Sequence, residues 1–504
     1  MTRLTPALHA CRGSGESDPT MTSQPQFPLL ESSYSQLPER FARPAKPTPV
    51  KSPAVVLWNS ELAKSLGLTA DPGSLVPLLA GNQTLPGFTP LATAYAGHQF
   101  GHFVPQLGDG RAILLGELAN SQGERYEIQL KGSGRTPFSR SGDGRSSLGP
   151  AIREYLASEA MHALGIPSTR ALAVTLTGEA VYREGALPGA VFTRVARSHI
   201  RVGTFQYFAA RGDVAGVKTL ADHVISHFFP ALVESDQPYR GLLLAVRDAQ
   251  AELIARWMQV GFIHGVMNTD NMSILGDTID YGPCAFMDAY DPATVYSAID
   301  ERGRYAYANQ PAIAAWNLAR LAEAMLSLFD ADQARAVERA NQSIAAFETR
   351  FLAHLHAGMR AKLGLATQEP DDVALANDLL TWMLEARADY TDTFRRLSAT
   401  DQGASLPVAN AAFAAWRARW LSRLARQPHS AAEVTTLMQR HNPAVIARNH
   451  KVEEALAAAE QGDLAPLDRL LAALSAPFDH ARASDEFTSA PAPGGPAYRT
   501  FCGT

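Results

Sequence analysis

The chain contains 504 residues, of which 46% are hydrophobic and 19% are charged, so it can bury a large core and is not globally disordered. Its 45 lysines and arginines against 50 aspartates and glutamates give a net charge of −5, which argues against a protein that binds nucleic acid through a basic surface. Three cysteines exclude a disulfide framework, and the lack of a long uncharged apolar run predicts no membrane-spanning helix and no membrane partner. We therefore expect a cytoplasmic protein of several domains.

The N-terminal part is predicted to form a tail and an arm. Residues 1–21 lack the basic and apolar regions of a signal peptide and are expected to be a disordered tail. Residues 22–55 are rich in proline and serine, which favours an extended arm lying on a folded body. The pattern at 54–70 predicts a short strand and then a helix, with Ser60 as the N-cap. Residues 22–105 are therefore expected to form an N-terminal arm and extension.

A strand-rich region follows. Two alternating apolar runs, RAILLGEL and RYEIQLK, are separated by a turn-rich linker and predict a hairpin. A helix is predicted next, because apolar residues recur at helical spacing between Pro150, near its start, and Gly165, after its end. More strands are predicted at 170–176, 179–184 and 190–196. We expect residues 106–212 to form one strand-rich lobe.

The rest of the chain is mostly helical. Helical spacing predicts helices near 216–230, 241–260, 311–329, 344–364, 372–388, 408–425 and 444–474. A polar stretch at 261–288 interrupts them and contains hairpin-like strands at 272–275 and 277–280. We expect residues 213–400 to form a helical lobe around this stretch, and 401–504 to form a helical extension with a cysteine-containing tail. A strand-rich half followed by a helical half predicts an α+β protein with a protein-kinase-like, two-lobed fold.

The polar stretch is dense in carboxylate and amide side chains: Asn268, Asp270, Asn271, Asp277 and Asp280. Hard divalent cations such as Mg²⁺ prefer oxygen ligands of this kind. Asp280-Tyr281-Gly282 resembles the Asp-Phe-Gly of kinases, in which the aspartate holds magnesium. The alternative is that Asp270 and Asp280 are turn and capping residues, since aspartate favours turns.

The spacing in this stretch matches a kinase catalytic loop with one difference. Asn271 follows His264 by seven positions, as the metal-binding asparagine follows the histidine of kinase-like phosphotransferases. The position of their proton-accepting aspartate is held by Val266, and Asp270 stands instead beside Asn271. Retained metal ligands without the usual base indicate a protein that has either lost catalysis or changed its reaction.

Candidate phosphate-binding features precede the polar stretch. Lys131 ends a predicted strand and Glu154 lies on the following helix, the order of the lysine–glutamate pair that serves nucleotide phosphates in kinases. The glycines of LGDGR (107–111) would let backbone N–H groups approach phosphate oxygens. The alternative for Lys131 and Glu154 is an ordinary surface ion pair, and the alternative for LGDGR is a tight turn. Neither this segment nor the second glycine-rich segment, KGSGR (131–135), is a Walker A sequence.

Arginine is frequent in the same region of this acidic chain, at Arg135, Arg140, Arg145, Arg153, Arg194, Arg197 and Arg201. The arginine fork matches the geometry of phosphate, and a solvated basic face is the alternative.

Four long segments carry a family resemblance: GHQFGHFVPQLGDGRAILLGE, QLKGSGRTPFSRSGDGRSSLGPAIREYLASEAMHALGIP, TRVARSHIRVGTFQYFA and HGVMNTDNMSILGDTIDYGP. They resemble the selenoprotein O family, a group of pseudokinases, and the resemblance runs over about 22–504. It implies a kinase-like fold that binds ATP in an inverted orientation. It also implies transfer of AMP to hydroxyl side chains of proteins, the protein itself included as a candidate substrate, with release of pyrophosphate.

The resemblance implies a divalent cation, Mg²⁺ or Mn²⁺, and ATP as the nucleotide, with UTP and transfer of UMP as a variant. Two other functions stay open on the sequence. A conventional kinase would transfer the γ-phosphate and would need Asp270 to replace the missing base. A non-catalytic scaffold would bind the nucleotide without turnover.

The resemblance also assigns residues. Asp270 corresponds to the proton acceptor, and Asn271 and Asp280 correspond to the metal ligands, with Asp280 also at the nucleotide. Glu154 corresponds to the ion-pair partner of Lys131. The other nucleotide-binding positions that it implies are Gly108, Gly110, Arg111, Lys131, Asp143, Gly144, Arg194 and Arg201.

The C-terminal end departs from the family pattern. Family members often end in Cys-x-x-Sec or a similar cysteine motif, whereas this chain ends in Cys502-Gly503-Thr504. Tyr296 occupies the loop position where some relatives have a cysteine. Cys284 is then the one candidate partner for a redox switch through Cys502.

Overall fold

The computed structural model describes residues 27–85, 87–492 and 498–500. The predicted tail at 1–21 and Cys502 lie outside the described residues. Among the described residues, no helix combines the length and the apolar character needed to cross a bilayer.

The strands, in chain order, are β1 Ala42–Pro44, β2 Ala54–Trp58, β3 Leu91–Thr93, β4 Gly97–Gln99, β5 His102–Val104, β6 Ala112–Ala119, β7 Arg125–Lys131, β8 Ser146–Ser147, β9 Arg170–Tyr182, β10 Ala186–Ala196, β11 Phe262–Ile263 and β12 Ala285–Phe286. The α-helices are α1 Ser60–Ser65, α2 Pro72–Leu79, α3 Leu148–Ala163, α4 Val202–Ala209, α5 Val214–Phe228, α6 Pro238–Gln259, α7 Gln310–Ala324, α8 Gln333–Ala345, α9 Phe347–Lys362, α10 Asp372–Ala386, α11 Tyr390–Leu397, α12 Ala411–Leu424, α13 Ala431–His441, α14 Asn449–Glu460, α15 Ala465–Leu474 and α16 Asp485–Thr488. The predicted order of a sheet-rich part followed by a helical part is confirmed.

The main sheet has eight strands and is antiparallel, in the order β1-β3-β6-β7-β10-β9-β2, with β8 paired to β10. The predicted hairpin of β6 and β7 is confirmed. The strands predicted at 170–176 and 179–184 are instead the single strand β9. Gly178, which lies between the two predicted strands, has a φ of 70° and packs closely on Ser52, and the strand continues through it.

Both edges of the sheet come from the N-terminal part. β1 pairs with β3, and β2 pairs with β9. The expectation of an extended arm at 22–55 was therefore wrong at β1, which is short, whereas β2 confirms the short strand predicted at 54–70. The N-cap of α1 is Asn59, whose Oδ1 accepts a hydrogen bond from Leu62 N at 3.0 Å, so the prediction of Ser60 was wrong by one position.

The helix after the hairpin is confirmed as α3. The described part of the helical half contains four α-helices that the sequence did not predict, α8, α11, α13 and α16, and α4 is an unpredicted helix in the region expected to be strand-rich. The helix predicted over 444–474 is divided into α14 and α15. The strands predicted at 272–275 and 277–280 were wrong. Residues 272–274 bond to a different segment, since Val202 N donates to Met272 O at 3.0 Å and Ile274 N donates to Ile200 O at 3.3 Å. The strands that bracket the polar stretch are β11 and β12.

The apolar residues form three buried clusters. One lies between the sheet, α3 and the helices from α4 to α8, with α14 and α15 packed on α3. A second covers the opposite face of the sheet with α1 and α2. The third lies among α9 to α13. The polar stretch lies between the sheet and the helical part, in contact with both.

Candidate active site

Strand alternation places a set of polar side chains on the α3 face of the sheet. In β7, Ile128 and Leu130 belong to the cluster on the far face, so Gln129 and Lys131 point toward α3. Arg194 of β10 lies directly opposite Gln129 in the ladder. The guanidinium of Arg194 donates to Gln129 Oε1 at 2.6 and 3.2 Å, which fixes its orientation.

Glu154 of α3 contacts Lys131 and Arg194. Its Oε2 accepts a hydrogen bond from Lys131 Nζ at 2.5 Å, and its Oε1 lies 3.4 Å from Arg194 Nη1. Glu154 is 5% exposed, so this is a buried ion pair and not a surface pair. The predicted association of Lys131 with Glu154 is therefore confirmed as a contact.

Asp280 lies at the centre of the site. Its Oδ1 accepts from Arg194 Nη1 at 2.6 Å and from Lys131 Nζ at 3.2 Å, and its Oδ2 accepts from Arg201 Nη1 at 2.9 Å. Burial disfavours its charged form, but the positive charges of Arg194, Lys131 and Arg201 hold the pKa of Asp280 well below its usual range. Its backbone is left-handed, with φ at 62°, a conformation that aspartate tolerates better than most residues.

Arg201 connects Asp280 to the polar stretch. It is the N-cap residue of α4 and is 2% exposed. Its Nη1 also donates to Asp270 O at 2.9 Å, and its guanidinium lies 4.6 Å from the ring centroid of Tyr95. Its Nη2 is buried and has no hydrogen-bond partner among the described residues. This nitrogen is a donor for a ligand oxygen that the chain itself does not supply.

Asp270 lies under the β4–β5 hairpin. Its Oδ2 accepts from Gln99 Nε2 at 3.3 Å, while its buried Oδ1 has no hydrogen-bond partner in the described part of the chain. Burial raises the pKa of Asp270 to about 6, against the opposing effect of Arg201. A Cβ on Gly97 would lie 2.4 Å from Asp270 Oδ1, so the hairpin approaches this carboxylate as closely as glycine allows.

The rest of the polar stretch holds these groups in place. The buried His264 donates from Nε2 to Ile279 O at 2.9 Å and stacks on Trp257, which ties the start of the stretch to the residue before Asp280. Asn271 Nδ2 donates a hydrogen bond to Val266 O at 3.0 Å, so the side-chain oxygen Oδ1 of Asn271 is the atom suited to bind a metal. Val266 is buried and apolar and cannot accept a proton.

The glycine-rich segment LGDGR (107–111) packs on residues 132–139. Gly108 has a φ of 74°, and a Cβ there would lie 2.4 Å from the ring of Phe138. Ser139 Oγ donates to Gly110 O, and Gly132 N donates to Arg111 O at 2.7 Å. These contacts give the glycines a packing role, and nucleotide binding by Gly108, Gly110 and Arg111 stays a prediction.

Asp143 and Gly144 lie farther out. The carboxylate of Asp143 accepts from Arg183 at 2.8 and 3.1 Å, and the hydrogen bonds from Arg183 lower its pKa. A Cβ on Gly144, whose φ is 68°, would lie 2.1 Å from Gly134 O. Their assignment to the nucleotide also stays a prediction. Of the seven arginines singled out in the sequence, Arg194 and Arg201 are the two that contact Asp280, whereas Arg153 and Arg197 pair with Glu453 and Asp277.

Several polar residues of the site were missed in the sequence. Gln129 carried a signal, since the alternation of RYEIQLK places it on the face of Lys131. No sequence pattern indicated Gln99, because folding brings it to Asp270 from a distant part of the chain. The same alternation of RYEIQLK places Glu127 on the face of Lys131; it accepts a hydrogen bond from His199 N at 2.7 Å and lies 2.6 Å from His199 Nδ1. Burial and the neighbouring Glu117 raise the pKa of Glu127 to about 8.

The arrangement is suited to a polyanion. Three buried cations face two carboxylates, Glu154 and Asp280, and arginine forks in a water-poor site bind phosphate oxygens strongly. No cluster of three His, Cys, Asp or Glu side chains able to hold a metal occurs among the described residues. The oxygens of Asn271 and the ionised Asp280 suit Mg²⁺, which is commonly held by one or two protein oxygens together with substrate phosphates and water.

Comparisons with known proteins agree with this chemistry. The family described as "Protein adenylyltransferase SelO" matches residues 28–475. A protein of Methylorubrum populi named "Protein nucleotidyltransferase YdiU" is 55% identical over 497 residues, covering 95% of this chain and 99% of the relative. Proteins of the same name from Rhizobium rhizogenes and Rhizobium meliloti are each 54% identical, covering 97% and 94% of this chain and 99% of each relative. The chain therefore belongs to the SelO family of protein adenylyltransferases.

Proposed function

We propose that this protein transfers AMP from ATP to hydroxyl side chains of proteins and releases pyrophosphate. The observation that carries the proposal is the convergence of Lys131, Arg194 and Arg201 on Asp280, next to a buried carboxylate at Asp270. A conventional kinase would require a carboxylate where Val266 lies. Membership of the SelO family and the names of the relatives support a nucleotidyl transfer.

We further propose that the fold is a two-lobed, kinase-like one, with residues 106–212 in the first lobe and 213–400 in the second. Support comes from the chain order of sheet, α3 and polar stretch, and from the Lys131–Glu154 pair between β7 and α3. Residues 401–504 would form the helical extension. The site would then lie in the cleft between the lobes.

The nucleotide would bind with its β- and γ-phosphates on the three cations. Arg194 and Arg201 are buried against the sheet, so a phosphate on them lies deep in the site. The α-phosphate would then face outward, toward Asp270 and the polar stretch. Gly108, Gly110, Arg111, Asp143 and Gly144 would approach the nucleotide from the outer rim.

Asn271 and Asp280 would hold the divalent cation, Mg²⁺ or Mn²⁺. When bound, such an ion neutralises phosphate charge and stabilises the charge that develops during phosphoryl chemistry. Asp280 is suited to this role because it stays ionised in its cationic surroundings. A phosphate chain on Lys131, Arg194 and Arg201 would take over the hydrogen bonds that Asp280 now receives.

Asp270 would act as the proton acceptor. The acceptor hydroxyl loses its proton to Asp270, its oxygen forms a bond to the α-phosphorus, and the bond from that phosphorus to the pyrophosphate oxygen breaks. Asp270 Oδ1 has the vacant acceptor position that this step needs. General-base catalysis of this kind contributes about 10²–10⁴-fold to a rate. Arg201 steadies Asp270 through its main-chain oxygen.

The direct test compares label transfer from α-labelled ATP to protein by the wild-type protein and two variants. Asp280→Asn and Asp270→Asn should each reduce transfer by at least about a hundredfold. Asp222→Asn, which changes an exposed carboxylate paired with Lys218, is the matched control and should leave transfer unchanged. Transfer that survives in Asp280→Asn would refute the proposal. The same incubation with α-labelled UTP, and with Mn²⁺ in place of Mg²⁺, identifies the preferred donor and ion.

A further inference from the structure

Two arginines and a tryptophan form a cationic patch beside the candidate site. The guanidinium carbons of Arg304 and Arg320 lie 4.9 and 5.0 Å from the ring centroid of Trp316. His98 packs edge-on against Trp316 at 5.1 Å and lies 4.9 Å from the ring of Phe103, which is 40% exposed. We call Arg304, Trp316 and Arg320 the arginine–tryptophan patch.

The patch borders the residues around Asp270. Asn268 Oδ1 accepts from Tyr305 Oη at 2.6 Å and from Phe100 N at 3.0 Å. Tyr305, which follows Arg304, and the turn of the β4–β5 hairpin are therefore both hydrogen-bonded to Asn268, two positions before Asp270. Gly101, in the same turn, packs against the guanidinium of Arg304. The patch therefore lies beside the residues that surround Asp270.

The two arginines of the patch differ in their ion pairing. Within the described ranges Arg304 has no ion pair within 4.0 Å, and its buried Nε has no hydrogen-bond partner. Asp300 accepts hydrogen bonds from the backbone N–H groups of Arg304 and Tyr305. Arg320 pairs with Glu323, whose side chain is 53% exposed. Burial is the main cause that lowers the pKa of His98; its hydrogen bond with Gln206 and the charge of Glu323 oppose this effect, and the charges of Arg320 and Arg304 add to it.

We propose that the arginine–tryptophan patch binds acidic residues flanking the acceptor hydroxyl of substrate proteins. This inference rests on the proposed protein-modifying function and adds a substrate class to it. Stacking on Trp316 holds the two partly exposed guanidinium groups in place, so a carboxylate can bind without ordering a free side chain. A segment rich in lysine is repelled at the same place, which gives selectivity between substrates.

The test uses three fluorescein-labelled peptides of equal length that carry serine, threonine and tyrosine and differ in their flanking residues: glutamate, glutamine or lysine. Binding to the full-length protein is measured by fluorescence anisotropy, and label transfer from α-labelled ATP is measured on the same peptides. The glutamate peptide should bind about fivefold more tightly than the glutamine peptide and should be modified with a correspondingly lower KM. The lysine peptide should bind more weakly than both.

Three variants localise the effect. Arg304→Gln should abolish most of the preference for the glutamate peptide, and Arg320→Glu should shift the preference toward the lysine peptide. Arg302→Gln changes an exposed arginine two positions from Arg304 and should behave as the wild type. Melting temperatures of all variants show whether any loss arises from unfolding, and the gain of lysine-peptide binding by Arg320→Glu cannot arise in that way.

The outcomes separate this inference from the proposed function. Equal binding of the three peptides by the wild type would overturn the inference, and so would an Arg304→Gln variant that raises the KM for ATP while leaving peptide binding unchanged. Transfer of label without a charge preference would overturn it while leaving the proposed function intact. A charge preference in binding without any label transfer would support the patch and count against the proposed function.

Discussion

Buried cations in this protein fall into two kinds at the scale of single residues. Lys131, Arg194 and Arg201 are paired with carboxylates, chiefly Asp280, so their burial is compensated. Lys362, at the end of α9, is 2% exposed and has no ion pair within the described ranges. Its Nζ lies 4.1 Å from the ring centroid of Phe394. The convergence of three cations on Asp280 is the pattern of a ligand site, whereas the burial of Lys362 with no ion pair in the described part of the chain is a source of instability.

Lys362 predicts a pH dependence of stability. Burial lowers the pKa of Lys362 to about 7, below its value of 10.5 in an unfolded chain. Between these values the unfolded state binds more protons, so the penalty of burying Lys362 grows as the pH falls from 10.5 to 7. Lys362→Met should therefore raise the free energy of unfolding by up to about 4 kcal/mol at pH 7, and by much less at pH 10.

Urea denaturation of the wild type and Lys362→Met at pH 7 and pH 10 measures this difference. Lys64→Met, at an exposed position of α1, is the control and should have no pH-dependent effect. A gain in stability that is the same at both pH values would contradict the assignment of Lys362 as a buried titrating group.

At the scale of elements, the β4–β5 hairpin packs directly on Asp270. His98 N donates to Thr269 Oγ1 at 2.7 Å, and Gln99 donates to Asp270 itself. The hairpin consists of two three-residue strands outside the main sheet, so its position depends on these contacts with the polar stretch. Small changes in the hairpin should therefore alter the reaction more than the stability.

Gly97→Ala tests this dependence. The added Cβ would meet Asp270 Oδ1 at 2.4 Å, so the hairpin or the carboxylate must move, and label transfer should fall by about tenfold or more. The melting temperature should change by only a few degrees. Gly185→Ala, in the turn between β9 and β10 with open space around the added methyl, is the matched control for glycine replacement. Full activity of Gly97→Ala would show that the hairpin does not set the position of Asp270.

The elements also show what could be predicted from the sequence. The β6–β7 hairpin and α3 were predicted because their periodicity is long and their ends carry glycine and proline signals. Strands β1 and β3 have three residues each, too few for alternation to be visible. The polar segment at 272–275 resembled a strand, but it bonds to residues 200–202, a partner distant in sequence that no local pattern indicates.

The residues of the candidate site could be predicted only where they follow the order of known kinase motifs along the chain. Lys131, Glu154, Asn271 and Asp280 follow the order of kinase motifs, and their contacts or positions agree with that order. Gln99 was not predictable, because its contact with Asp270 depends on how the hairpin folds over the polar stretch. The site is therefore a property of the assembled fold more than of any one motif.

At the scale of the whole molecule, Arg448 joins the C-terminal helices to the segment after the polar stretch. This residue precedes α14 and is 1% exposed. It donates to Asp389 at 2.6 and 3.0 Å and to Asp288 at 2.8 Å, and it also donates to Thr488 O at 2.9 Å. One guanidinium thus connects three separate parts of the helical half.

Arg448→Met should lower the free energy of unfolding by about 3 kcal/mol, because it leaves the partly buried Asp288 and Asp389 without their partner. Arg469→Ala removes a half-exposed arginine paired with Glu486 and should cost less than about 1 kcal/mol. Denaturation midpoints of the two variants provide the comparison. Equal midpoints would show that the C-terminal helices do not depend on Arg448.

The central claim is that the phosphate transferred is the α-phosphate. Parallel incubations of the protein with Mg²⁺ and a generic protein acceptor, one with α-labelled ATP and one with γ-labelled ATP, test it most directly. We predict label on protein from the α-position alone, with pyrophosphate released in equal amount. Label from the γ-position alone would identify a conventional kinase and would contradict the roles given to Asp270, Arg194 and Arg201. Nucleotide-dependent stabilisation without label from either position would identify a binding scaffold and would contradict the claim as well.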